Sequence, residues 1–360
     1  MNWKNDLTDL LKVAYPIIQG PFGGGYSSVA LTSTVTNFGG VGSFGAHHMS
    51  KDEILTLNEN LKEKCNGQYA INLWVKNDNY YKEYTIQNFE KTKSIFKPYF
   101  DELEIPLPDM PTIPEANNYE QQVEAILKSR PPIFSFVYGI PDETIIAECN
   151  KYGILTIGTA TTIEEAVLLE DSHVDAIVAT GFEAGGHRVA FEENPEDNLF
   201  GSFSLIPRVV DAVNIPVIAA GGIADGRGIA AALTLGAQGV QIGTAFLACE
   251  ESNASEIHRN ILFSPKAERT VLTKSFTGRL ARGTESTIAN ETKDYVHDLA
   301  PYPIQGLFIR PLRDAAIQRG KTDLLSFWSG QSAPLIKNKT AGDLFINLIE
   351  ETENVLNSFM

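Results

Sequence analysis

The sequence predicts an α/β fold, a (β/α)8 TIM barrel with an extended C-terminal and inserted region. Three observations predict it. Residues 215–247 read IPVIAAGGIADGRGIAAALTLGAQGVQIGTAFL, two apolar runs around a glycine-rich turn and an alanine-rich stretch. The period switches from strand to helix and back, which defines a βαβ unit. Eight apolar runs of this kind occur along the chain, most of them nearly continuous. Parallel strands buried on both faces have that appearance. Such an alternation gives either an open doubly wound sheet or a closed barrel. Eight strands, with polar and glycine-rich segments at most of their ends, favour the barrel.

The elements follow in order. Strands are expected at 16–22, 40–44, 69–75, 133–138, 154–159, 176–180, 216–220 and 240–245. A helix is expected at 50–64, where Ser50 followed by Glu53 forms a capping box. Further helices are expected at 118–128, 142–152, 163–171, 204–213 and 226–235. Three stretches exceed a minimal barrel. Residues 76–117 are rich in Tyr, Lys and Pro, and 189–203 form an acidic loop. Residues 265–360 are an added segment that ends in an amphipathic helix at 341–356. Long loops at strand C-terminal ends shape a pocket or cover it. The whole chain, 1–360, thus reads as one barrel domain with insertions.

With 360 residues, 43% hydrophobic and 21% charged, the chain has the material for a large core. A net charge of −16 argues against nucleic acid and anionic membrane partners. Cys65, Cys149 and Cys249 are widely spaced, so neither a zinc pattern nor a disulfide framework follows. No secretory h-region and no run approaching about 18 apolar residues is visible, and a cytoplasmic location is expected. No metal is expected, because no HxxxH or CxxC pattern occurs.

The chemistry is expected at the strand ends. Gly221 and Gly222 follow the strand at 216–220, and Gly243 and Thr244 interrupt the one at 240–245. Glycines there let backbone N–H groups approach an anion, and in such barrels these loops commonly hold phosphate. A phosphorylated cofactor follows. After the strand at 176–180 the chain reads GFEAGGHR. Gly185 and Gly186 turn tightly and present His187, which near neutral pH accepts a proton, donates a hydrogen bond or pairs with an anion. The plain alternative is a loop histidine bonded to nearby carbonyls. Glu183 and Arg188 are expected to pair or to anchor this loop.

The stretch Gly20 to Gly25 holds four glycines and one proline, suited to passing under a planar ring, but it lacks the lysine of a phosphate-binding P-loop. Asn72 interrupts the apolar INLWV and must be satisfied, by a cofactor edge or by a neighbouring strand. Trp328 to Ala333, WSGQSA, combine aromatic, glycine and amide groups. Adjacent His47 and His48 are not expected to point the same way, so one of them, with Met49, is read as pocket lining. His173, His258 and His297 are read as surface or structural.

On IIQGPFGG, INLWV, GFEAGGHR, AAGGIADGRGIAAALTLGAQGVQIGTAFLACEES, FTGRLARG and WSGQ, the chain resembles the flavin-dependent nitronate monooxygenases over nearly its whole length. The resemblance implies FMN held without a covalent bond at the barrel mouth. Its ring would lie near Gly20, Pro21 and Phe22, with Asn72 and Thr180 among the polar contacts. Its phosphate would meet Gly185, Gly222, Gly243 and Thr244, with Gln241 and Ile242 in the same loop. Trp328, Gly330 and Gln331 would approach the flavin, and His187 matches the family's active-site histidine.

The implied activity is oxidative denitrification of alkyl nitronates, propionate 3-nitronate among them, with O2, to a carbonyl product and nitrite. The implied partners are therefore small molecules, and a monomer or homodimer is expected. Phe22, Thr180, Val189 and the GAHHMS loop depart from the family pattern and bear on substrate preference. Two other readings stay open: an FMN-dependent NAD(P)H reductase of enoyl-thioester or quinone substrates, and a non-catalytic FMN-binding barrel. The FTGRLARG extension weighs against the first, and His187 against the second.

Overall fold

The computed structural model of the chain describes residues 3–75, 83–113 and 119–358. Its centre is a sheet of eight parallel strands. In chain order these are β1 (Ile17–Gln19), β2 (Gly42–Gly45), β3 (Tyr69–Trp74), β4 (Ile133–Val137), β5 (Leu155–Ala160) and β6 (Ala176–Thr180). A two-residue strand outside the barrel, β7 (Gly186–His187), comes next. The barrel then finishes with β8 (Val217–Ala220) and β9 (Gly239–Ile242). The order is β1-β9-β8-β6-β5-β4-β3-β2. Closure comes from a parallel bridge between Ile18 and Val41. There the Gln19 N–H donates to the Val41 carbonyl at 2.9 Å and the Val41 N–H to Ile17 at 3.0 Å. The eight strands thus form a (β/α)8 barrel.

Side-chain alternation decides what lies inside. Ile18, Ala70, Ile133, Ile157, Val178 and Ile218 share one apolar cluster in the barrel interior. The helix Asp6–Leu11 adds Leu7 and Leu11, both fully buried, to the same cluster. Two residues further along their strands, on the same face, stand Asn72, Thr159, Thr180 and Ala220. The interior is therefore apolar at one end and polar at the other, where the strands terminate.

Outside the barrel, the helix Ala341–Asn357 lies against the helix Gly226–Thr234. A Cβ on Gly226 would stand 2.3 Å from the Thr352 nitrogen, so only glycine permits this approach. A separate apolar cluster joins the helix Ile86–Glu102 to the helix Ile304–Gln318. The Phe308 ring packs there against Phe89, Phe96 and Phe100, at centroid separations of 5.0, 5.8 and 5.4 Å. This cluster anchors a small antiparallel sheet, in which β10 (Thr270–Thr273) pairs with β11 (Ala281–Thr284), and β11 with β7.

The structure differs from the expected elements in several places. The strand expected at 16–22 stops at Gln19, because the glycine loop begins at Gly20. The strand expected at 240–245 stops at Ile242, and Thr244–Leu247 form a helical turn. A short apolar run does not distinguish the two by periodicity alone. The helix Val29–Asn37 was not expected, nor were Ile86–Glu102 within 76–117 and Ile304–Gln318 within the C-terminal segment. The last two carry Pro98 and Pro311 inside the helix, a residue that reads as a breaker in sequence. Parts of the expected insertion at 76–117, namely 76–82 and 114–117, lie outside the described residues, as does Asn118 of the expected helix 118–128.

Candidate active site

A cleft of about 380 Å³ opens at the C-terminal ends of the barrel strands. Its floor is the polar end of the interior: Asn72, Thr159, Thr180 and Gln241. One wall is the loop after β1, with Gly20, Pro21 and Phe22. This loop is pinned from below by the buried Gln19, whose Nε2 donates to Gly20 O and whose Oε1 accepts the Ser43 N–H at 2.9 Å. Asn72 Nδ2 donates to Ser135 Oγ on the next strand at 3.0 Å. It thus has the neighbouring-strand partner that a core asparagine needs, and it also lines the cleft.

The opposite wall is built of bare backbone. Gly221 and Gly222 follow β8 with φ of +92° and +74°, the left-handed region that favours glycine. A Cβ placed on Gly243 would meet nothing nearer than Phe22 Cε1 at 3.9 Å. Gly185 is packed instead: its added Cβ would lie 2.6 Å from the Gly330 nitrogen. Gly330 donates its N–H to Thr244 Oγ1 at 2.9 Å, which closes the C-terminal segment onto the barrel mouth. Trp328 and Gly330 line the cleft there. Ile242 and Gln331 do not. Ile242 is fully buried, and its carbonyl accepts the Gly20 N–H. Gln331 is exposed, and its N–H donates to Glu183 O at 3.0 Å.

His187 stands in β7, registered opposite Ala281 of β11. Its ring lies 5.4 Å from Trp328, 5.7 Å from Trp74 and 6.3 Å from Tyr302, centroid to centroid. Nε2 is 3.0 Å from Thr277 Oγ1. Although part of its surface faces the cleft, enclosure by these rings pushes its pKa down to about 3, with Arg279 and His48 adding to the effect. The imidazole is neutral at pH 7. His47 is pushed down to about 2, by burial first and then by His48, His187 and Arg279.

His47 and His48 both line the cleft, with ring centroids 3.6 Å apart, whereas Met49 does not. Trp74 decides this. It stacks on His47 at 3.8 Å and 4° and draws that ring inward. His48 Nε2 accepts the Gly24 N–H at 3.1 Å. His258 is buried, its Nε2 2.9 Å from Trp328 O, which holds the Trp328 segment. Among the described residues no cluster of His, Cys, Asp or Glu is suited to a metal ion.

Glu183 and Arg188 anchor the loop separately. Glu183 accepts from Ser202 N at 2.8 Å. Arg188 donates to the carbonyls of Thr180, Thr161 and Asn198 at 2.5, 3.1 and 3.2 Å.

Sequence reasoning missed Trp74, Thr277, Tyr302 and Arg313, all of which line the cleft. Trp74 had a signal: it lies two residues after Asn72 in β3 and so shares its face. Thr277 lies within FTGRLARG, which carried the resemblance but gave the residue no place, whereas Tyr302 and Arg313 had no signal, because they reach the cleft only through tertiary packing.

The fold and the cleft define a barrel enzyme with its chemistry at the C-terminal face of the strands. The chain belongs to the nitronate monooxygenase family, whose profile matches residues 4–351. It is 38% identical over 355 residues to a probable nitronate monooxygenase of Staphylococcus aureus, covering 98% of each chain. Its structure resembles nitroalkane oxidase from Streptomyces ansochromogenes, with a TM-score of 0.87 and 33% identity, over 99% of this chain and 100% of that one. FabK from Thermotoga maritima is also similar, with a TM-score of 0.72 and 25% identity, over 99% of this chain and 98% of that one. The protein is accordingly an oxidoreductase of the nitronate-oxidising class. Among the described residues no helix is long and apolar enough to cross a membrane.

Proposed function

We propose that this protein binds FMN in the cleft and uses O2 to oxidise alkyl nitronates, releasing a carbonyl compound and nitrite. One observation carries the reading. In a chain of net charge −16, the described residues that line the cleft include no Asp or Glu and one arginine, Arg313, together with three histidines. A lining of that kind, partly cationic in an acidic protein, suits an anionic substrate and an anionic cofactor.

The residues present fit FMN. The open backbone at Gly243 offers room for a phosphate group, with Gly222, Thr244 and Gly185 beside it. Gly20, Pro21, Phe22, Asn72, Thr180, Gln241, Trp328 and Gly330 would border the ring system and its side chain. Bound FMN would supply the electron-transfer chemistry that side chains lack. This chain's own contribution is position, dryness and proton handling. Trp74, Tyr302 and Trp328 exclude water from one side of His187. Neutral His187 offers one donor and one acceptor, suited to holding a nitro oxygen or removing a Cα proton from a neutral nitroalkane. On this reading the chain works in the cytoplasm as one FMN-binding unit, monomeric or homodimeric, with residues 265–360 completing the cleft.

The test is chemical. The cofactor of the purified protein is released and identified, and the protein is mixed anaerobically with propane-2-nitronate or with NADH. Loss of flavin absorbance with the nitronate but not with NADH, and nitrite on admitting air, is the expected result. Reduction by NADH alone would move the assignment to a pyridine-nucleotide reductase, the alternative that the sequence left open. A protein that takes up no flavin would remove both.

A further inference from the structure

Thr277 and Arg279 lie in the turn between β10 and β11, and both reach His187. The turn is seated firmly. Gly278 has φ of +83°, and an added Cβ would meet the backbone of Pro301 and Tyr302 at 2.4 Å. The turn is therefore fixed against the Tyr302 segment on one side, while β11 pairs with β7 on the other.

The hydrogen bonds around Thr277 Oγ1 assign a tautomer. A threonine hydroxyl has one hydrogen to donate and two lone pairs. Oγ1 accepts the Arg279 N–H at 3.3 Å and donates to the Arg279 carbonyl at 3.2 Å. Its hydrogen is then used, and His187 Nε2 at 3.0 Å meets the remaining lone pair. In that arrangement Nε2 is the ring nitrogen that donates, and Nδ1 keeps its lone pair. Were the hydroxyl hydrogen turned to Nε2 instead, the bond to the Arg279 carbonyl would be lost.

Arg279 supplies the second constraint. Its guanidinium carbon lies 4.3 Å from the Tyr138 ring centre, 4.6 Å from Tyr302 and 5.7 Å from Trp74. These faces stabilise the cation beside the site. Among the described residues, the ionisable groups facing His187 are Arg279, His47, His48 and Tyr302, with Tyr138 behind Arg279 and Arg313 elsewhere in the cleft lining, which includes no carboxylate. Among the described residues, the charges that act on the ring, Arg279 first and then His48, oppose a second proton.

We propose that the β10–β11 turn, through Thr277 and Arg279, holds His187 as its neutral Nε2–H tautomer and leaves Nδ1 as the proton acceptor. Both are positioning residues. Their catalytic consequence rests on the nitronate-oxidising reading, whereas the tautomer itself does not.

The experiment is nitrogen NMR of the holoprotein labelled with 15N-histidine, the His187 signals being identified by their loss in His187→Asn. Wild type is expected to show a protonated Nε2 and an unprotonated Nδ1. Thr277→Val should give a mixture of tautomers and a fall in kcat on the order of tenfold, with KM for propane-2-nitronate little changed. Thr277→Ser should restore both. Arg279→Gln should move the acidic limb of the kcat profile to higher pH, and Arg279→Lys should leave it in place. A protonated Nδ1 in wild type, or a tautomer indifferent to Thr277→Val, would overturn the proposal. The expected NMR pattern in a protein that turns over no nitronate would support the proposal while refuting the proposed substrate.

Discussion

Gly185→Ala tests whether the cleft depends on the C-terminal segment docking at that glycine. The added methyl would lie 2.6 Å from the Gly330 nitrogen and 2.7 Å from the Ser329 carbonyl carbon, both backbone atoms that cannot rotate away. Relief requires the 329–330 segment to move, which breaks the 2.9 Å bond from the Gly330 N–H to Thr244 Oγ1. Overpacking costs roughly 1–3 kcal/mol, and the lost hydrogen bond about 1 kcal/mol more. With about 2.1 cal/mol/K of unfolding entropy per residue, a 360-residue chain should lose about 3–5 °C in Tm. The neighbouring Gly186→Ala is the control. Its φ is +80° but no atom lies within 4 Å, so only the left-handed backbone is penalised. That costs about 1–2 kcal/mol, or about 1–3 °C on the same scale. Differential scanning fluorimetry with and without FMN measures both variants. Gly185→Ala should also show the smaller FMN-induced rise, because Trp328 moves with the displaced segment. If Gly186→Ala proved the more damaging, or Gly185→Ala melted like wild type, the argument from close approach would be wrong.

Three further outcomes are expected. His187→Asn should abolish most nitronate turnover while FMN stays bound at its wild-type stoichiometry; undiminished nitrite release would take His187 out of the chemistry. Arg188→Leu strips three carbonyls of their buried donor and should lower the unfolding free energy by about 3–5 kcal/mol, read from urea denaturation; a loss below about 0.5 kcal/mol, typical of surface positions, would contradict the role given to Arg188. Finally, His47, His187 and His258 are lowered from 6.5 to about 2, 3 and 4. Below pH 6.5 the unfolded chain binds protons that the folded chain refuses, so stability falls as pH drops from 6.5 towards 4. Each such group contributes up to about 1.4 kcal/mol per pH unit. His258→Gln should flatten that slope, and an unchanged slope would show that His258 titrates normally.

The barrel was legible because its strands are local patterns. Strand 176–180 was located to the residue, and the others within three residues at either end, since a doubly buried strand is a continuous apolar run wherever it occurs. The strand-end motifs were legible for the same reason: once the barrel is granted, Asn72, Thr180, His187, Gly222 and Gly243 must gather at one face. Helix Ile304–Gln318 was not legible, because Pro311 lies within it and only packing on Phe89, Phe96 and Phe100 compensates. The pair His47 and His48 was misread from chain adjacency. Its geometry depends on Trp74, which no local pattern connects to it.

By itself, then, the sequence determined which segments become strands and which side chains reach the strand ends. Those properties follow from periodicities of two and 3.6 residues, and each is contained within one short stretch of chain. Only the tertiary structure decided what surrounds His187. Trp74, Thr277, Tyr302 and Trp328 come from segments up to about 250 residues apart. A small antiparallel sheet and an aromatic cluster bring them together, and long-range contacts of that kind leave no periodic trace in the chain.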